Sequence, residues 1–135
     1  MASFVKINSF VENLAEKKID LSGAELTVAL TNTAHTATWD ELADLTQVSY
    51  TNLSSRVITV TSSAQTSGTY KLVLEDLTLT ASGAVGPFRY IYIYDDGSTG
   101  DKLICYYDYG SEVTMANGDT FRIDFDGSAG ALTIA

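Results

Sequence analysis

Residues 86–110 read GPFRYIYIYDDGSTGDKLICYYDYG, and six of the eight tyrosines of this 135-residue chain lie inside them. Side chains alternate across a strand, so Phe88, Tyr90, Tyr92 and Tyr94 share one face while Arg89, Ile91 and Ile93 share the other. The turn-rich DDGSTGDK then joins a strand over Phe88–Tyr94 to a second over Leu103–Tyr107, which predicts a hairpin. Both faces of the first strand are apolar or amphipathic. A sandwich strand shows one face to the core, so something must cover the outward row. Three covers are open: an N-terminal helix, a neighbouring subunit docked on the aromatics, or a carbohydrate ring stacked on them.

Working outward, the two-residue period recurs. Leu26, Val28 and Leu30 alternate with Thr27 and Ala29, Arg56–Thr61 is rich in β-branched residues, and Tyr70, Leu72 and Leu74 oppose Lys71, Val73 and Glu75. Leu77 and Leu79 continue the pattern, and Ser82-Gly83 and Gly86-Pro87 break it. Val113–Met115, Phe121–Phe125 and Leu132–Ile134 follow, separated by ANGD and DGSAG. Only the N-terminus reads differently: Phe4, Ile7, Phe10, Val11, Leu14 and Ala15 recur at three and four residues, predicting a helix over about 3–18 with Ser3 as its cap and Lys17 and Lys18 at its end. A shorter helix is expected over Trp39–Leu45, capped by Thr38. These signals predict a mainly β protein: one antiparallel, jelly-roll-like β-sandwich domain of about seven or eight strands spanning residues 1–135, with one N-terminal α-helix.

Composition bounds the function. A chain of this length buries roughly 65 to 70% of its unfolded surface in one core. The formal charge of −9 opposes binding to phosphate backbones or anionic lipid, so neither nucleic acid nor membrane is expected as a partner. No run reaches the roughly 18 apolar residues of a membrane span, and a soluble, unexported chain is expected.

Candidates for chemistry are few. His35 is the only histidine and Cys105 the only cysteine, and Cys105 falls mid-strand, where a thiol is ordinarily buried and inert. No nucleophile elbow, phosphate loop or zinc-protease pattern occurs. Asp95, Asp96 and Asp101 bracket the 95–102 loop and could supply oxygens to calcium, but without the alternate-position register and distal glutamate of an EF-hand. Asp124 and Asp126 flank Phe125, and pairing for glycoside hydrolysis requires a separation that sequence does not specify. The reading is a chain without enzymatic activity, cofactor or metal. A lone tryptophan in a Thr/Ala-rich connection is a core plug or an anchor, so Trp39 with His35 is the candidate partner contact. Tyr90, Tyr92, Tyr94, Tyr106 and Tyr107 are the candidates for self-association.

Two stretches carry a resemblance. LTVALTNTAHTATWDELADLTQVSY and GPFRYIYIYDDGSTGDKLICYYDYGSEVTMANGDTFRIDFDGSAGALTIA are similar to segments of small β-sandwich structural proteins of tailed bacteriophages, some of which are capsid decoration, or cement, proteins. The Gly-Pro-Phe-Arg-Tyr strand start, the Tyr-Asp-Tyr-Gly strand end and the closing Asp-Phe-Asp-Gly turn carry it. His35 stands where the family often has proline. The resemblance implies a virion protein, made in the host cytoplasm, that binds the major capsid protein on the outer surface of the head and assembles with itself, as a trimer at local threefold positions. The rival reading is a receptor- or carbohydrate-binding module of a tail fibre or baseplate, with Trp39, Tyr106 or Tyr107 stacking on sugar.

Overall fold

A computed structural model describes residues 2–23 and 25–135. The hairpin that opened the sequence reading is its backbone: β6 (Val85–Asp95) runs antiparallel to β7 (Lys102–Met115), pairing Tyr92 with Tyr106 and Ile93 with Cys105. On the far side of β6 lies β2 (Leu26–Thr31), in register from Leu26 opposite Asp95 to Thr31 opposite Tyr90, and every residue of β2 is buried. On the far side of β7 lies β1 (Val5–Lys6), which completes the order β1-β7-β6-β2. A three-stranded sheet, β3 (Val60–Thr66), β4 (Thr69–Leu74) and β9 (Leu132–Ile134), and a two-stranded one, β5 (Leu77–Thr80) with β8 (Thr120–Ile123), complete a mainly β, antiparallel, sandwich-like architecture. One apolar core runs through all three sheets, from Ile7 and Phe88 to Leu72, Leu79 and Leu103.

The N-terminal helix is much shorter than expected. Residues 5–6 form β1, with Val5 opposite Tyr106 and Lys6 opposite Cys105, and the Ile7 amide donates to the Ile104 carbonyl at 3.1 Å. The helix, α1, covers only Phe10–Ala15, and its cap is Ser9 rather than Ser3. An open ladder position on β7 satisfies more backbone groups than a free first turn of helix would. Ser9 makes no side-chain cap bond, because its hydroxyl donates instead to Asp40 Oδ1 at 2.6 Å.

Other boundaries shift for similar reasons. The helix expected over Trp39–Leu45 contracts to a 3-10 turn at Leu42–Asp44, since Glu41 is extended and bridges Lys102. Its cap is Glu41, not Thr38. Residues 56–58 do not begin β3: Val28 donates to Arg56 O at 2.9 Å and Ile58 to Leu26 O at 2.8 Å, so this segment runs beside β2 before β3 starts at Val60. The strands expected at Leu103–Tyr107 and Val113–Met115 are one 14-residue strand, β7, whose register slips between Asp108 and Val113. Gly86-Pro87 is a cis peptide inside β6 rather than a break before it. There Gly86 has φ +107, and a Cβ on it would lie 2.7 Å from the Val113 carbonyl oxygen.

Candidate functional site

Much of the tyrosine row of β6 is covered by the chain itself, through the segment 32–41 rather than α1. After β2 the segment 32–41 folds back over this face of the sheet. His35 stacks on Tyr106 with ring centroids 4.4 Å apart and planes 24° apart, and its Nδ1 shares a hydrogen bond of 2.9 Å with the Tyr92 hydroxyl. Trp39 stands edge-on to His35 at 5.5 Å and 6.2 Å from Tyr92. Tyr92 and Tyr106 stack at 5.2 Å across the ladder, and Tyr90 meets Tyr106 edge-on at 6.5 Å. Five residues singled out from the sequence, His35, Trp39, Tyr90, Tyr92 and Tyr106, therefore form one cluster. α1 faces the other way, sharing a groove with Leu132 and Ile134 of β9.

Not every candidate is where alternation placed it. Tyr92 and Tyr94 are fully and almost fully buried, so neither is an outward anchor in the folded chain. Tyr107 lies on the opposite face, opposite Ile91, with Phe4 edge-on at 6.1 Å. Phe88 leaves the row: the ladder slips between Phe88 and Tyr90, and Phe88 packs edge-on against Phe121 at 5.2 Å.

A polar hub, unmarked in the sequence, holds the covering segment down. Asp40 Oδ1 accepts from Ser9 Oγ at 2.6 Å and Asn13 Nδ2 at 2.7 Å, Asp40 Oδ2 accepts from Lys102 Nζ at 2.6 Å, and the Asp40 carbonyl accepts the Leu103 amide at 3.0 Å. One carboxylate thus ties the covering segment to α1 and to the start of β7. The Lys102 and Ser9 hydrogen bonds outweigh partial burial and hold its pKa down at about 2. A second anchor lies beside the C-terminal half of β2: the Tyr50 hydroxyl accepts the Leu30 amide at 2.9 Å and donates to Gln47, and the Arg56 guanidinium sits 3.7 Å over the Tyr50 ring.

The chemistry open to these groups is limited. Burial pushes the His35 pKa down, so the ring is neutral at neutral pH, and burial pushes the Tyr92 hydroxyl well up, so it stays protonated. Cys105 is buried and alternates with Tyr106, which puts it on the sheet face away from His35; burial raises its pKa far above the usual thiol range. Two of the turn acids, Asp95 and Asp126, serve the backbone. Asp95 accepts the amides of Asp20 at 2.9 Å and Gly97 at 3.0 Å, and Asp126 Oδ1 accepts those of Ser128 and Ala129 at 2.8 and 2.7 Å. Beside the cluster an open crevice of about 560 Å³ is lined by Ser3, Val5, His35, Tyr90, Tyr106 and Asp108. Compared with family models, curated proteins and solved structures, the chain matches none of them.

Proposed function

We propose that this chain is a non-enzymatic structural protein of a bacteriophage virion, which binds the outer surface of the head, assembles with itself and stabilises the capsid. One observation carries the reading. The reactive side chains are spent inside the fold, with His35 stacked in an aromatic cluster, Cys105 buried and Asp40, Asp95 and Asp126 bonded internally, while large apolar side chains stand exposed. Such a surface suits contact rather than turnover. The resemblance to phage decoration proteins supplies the partner, the major capsid protein, and the trimer at local threefold positions. Repetition over a lattice strengthens individually small contacts, so a rigid, acidic, self-associating domain suits the task.

The test is co-sedimentation with heads assembled without the protein. Stoichiometric binding and a raised capsid melting temperature are expected, and absence of binding at saturating protein would overturn the reading. The crevice beside His35, Tyr90 and Tyr106 favours the rival, a receptor- or carbohydrate-binding module of a tail fibre or baseplate, since half-buried aromatic rings beside the Arg89–Asp108 pair suit sugar rings. Retention on host cells or immobilised glycans, with no affinity for heads, is the outcome that would select it.

A further inference from the structure

The two outer edges of the four-stranded sheet are treated differently. The β2 edge is dressed: Thr27 bridges Val57, Thr31 bridges Gln47, and the 46–58 segment runs alongside. The β1 edge is bare, and among the described residues Val5 and Lys6 pair only with β7. Unpaired edges that natural proteins leave open invite another chain.

Exposed apolar side chains gather around this edge. Of the six large hydrophobic residues that stand exposed among the described residues, Phe4, Val5, Val11, Tyr109 and Ile134 border it, and only Val57 lies elsewhere. Phe4 separates two apolar grooves. One, about 430 Å³, runs between α1 and β9 past Val11, Leu132 and Ile134; the other, about 350 Å³, runs past Tyr107, Tyr109 and Phe121. Phe4 lines both grooves, so Phe4, Val11, Tyr109 and Ile134 belong to one exposed apolar patch.

The rim indicates which partner fits. Lys6 borders the groove beside α1, whereas Asp124 and Asp126 border the other, where Arg122 is already paired with Asp76. A partner of one charge sign would be attracted by half of this rim and repelled by the other half. A copy of the same surface, turned about an axis through it, meets opposite signs at the rim and apolar side chains at the centre. We infer that the seam between β1 and β9 seats a second copy of this chain, with Phe4, Val11, Tyr109 and Ile134 at the centre of the contact. The inference rests on the self-association in the proposed function, gives it a twofold rather than a threefold contact, and is independent of capsid binding.

Light scattering coupled to size exclusion on the whole chain tests it, with Val11→Asp, Ile134→Asp and, as a control outside the seam, Val57→Asp. The parent is expected to form a closed oligomer whose dissociation constant rises at least about tenfold in either seam variant and is unchanged in the control. Because copies carrying net charge of the same sign repel at long range, added salt should strengthen the parent's association. Val11→Lys, on an exposed helix position, gives a second reading if either aspartate variant loses its circular dichroism signature. A parent that stays monomeric up to about 100 μM, or an oligomer indifferent to all three seam variants, would overturn the inference. Co-sedimentation of the same proteins with heads keeps the two ideas apart: a monomer that still decorates heads sinks the inference and leaves the function standing, whereas a seam-dependent oligomer that ignores heads does the reverse.

Discussion

At the scale of single residues, the packing of His35 makes the molecule sensitive to acid. Its ring lies between Tyr106, Tyr92 and Trp39, and burial holds its folded pKa below the unfolded value of about 6.5. A depressed folded pKa contributes stability that is complete above the unfolded value and is lost as pH falls below it. Thermal melts should therefore lose stability as pH falls below about 6.5 in the parent, and lose less in His35→Phe, which keeps the stacking and removes the titration. Asp40 acts in a lower window. Its stabilisation is present above about pH 4 and is lost as pH falls towards about 2, so Asp40→Asn should cost about 1 kcal/mol at pH 7, after allowance for its partial exposure, and flatten the acid limb of the melting curve. Tyr92→Ala, by contrast, should cost roughly 3 to 5 kcal/mol by denaturant titration, because a fully buried aromatic ring is removed from the core.

At the scale of elements, period-two alternation is what made β2, β4 and the β6–β7 hairpin readable, because each buries at least one row of side chains that local spacing reveals. β1 was hidden: Phe4, Ile7 and Phe10 have helical spacing, and the ladder that overrides it lies on residues 105 and 106. Long-range pairing leaves no local trace. The site divides in the same way. His35, Trp39 and the tyrosines stand out by composition, whereas Asp40 reads as an ordinary helix-start acid until Ser9, Asn13 and Lys102 are brought to it from distant segments. Two substitutions test the elements. Phe10→Ala should cost on the order of 2 to 5 kcal/mol, since Phe10 is the buried anchor of α1. Gly86→Ala should cost about 1 to 3 kcal/mol, because the left-handed φ and the nearby Val113 carbonyl both oppose a side chain; the unfolding midpoint in denaturant is the readout.

At the scale of the whole molecule, charge, covering segment and seam divide the labour. The net charge of −9 disfavours indiscriminate association, the 32–41 segment shields the tyrosine face, and the apolar surface that remains is concentrated at one edge. Pairing of β1 with β7 also sets an order of events during synthesis. Val5 and Lys6 are made about a hundred residues before their partners Tyr106 and Cys105, so at an elongation rate of about 5–20 residues per second the strand waits on the order of 5 to 20 s for its place. Throughout that interval Phe4, Ile7 and Phe10 have no sheet to rest on. The nascent chain is thus exposed to capture by chaperones and proteases around residues 4–10, and nascent chains stalled before Lys102 should be cleaved there first by a dilute protease.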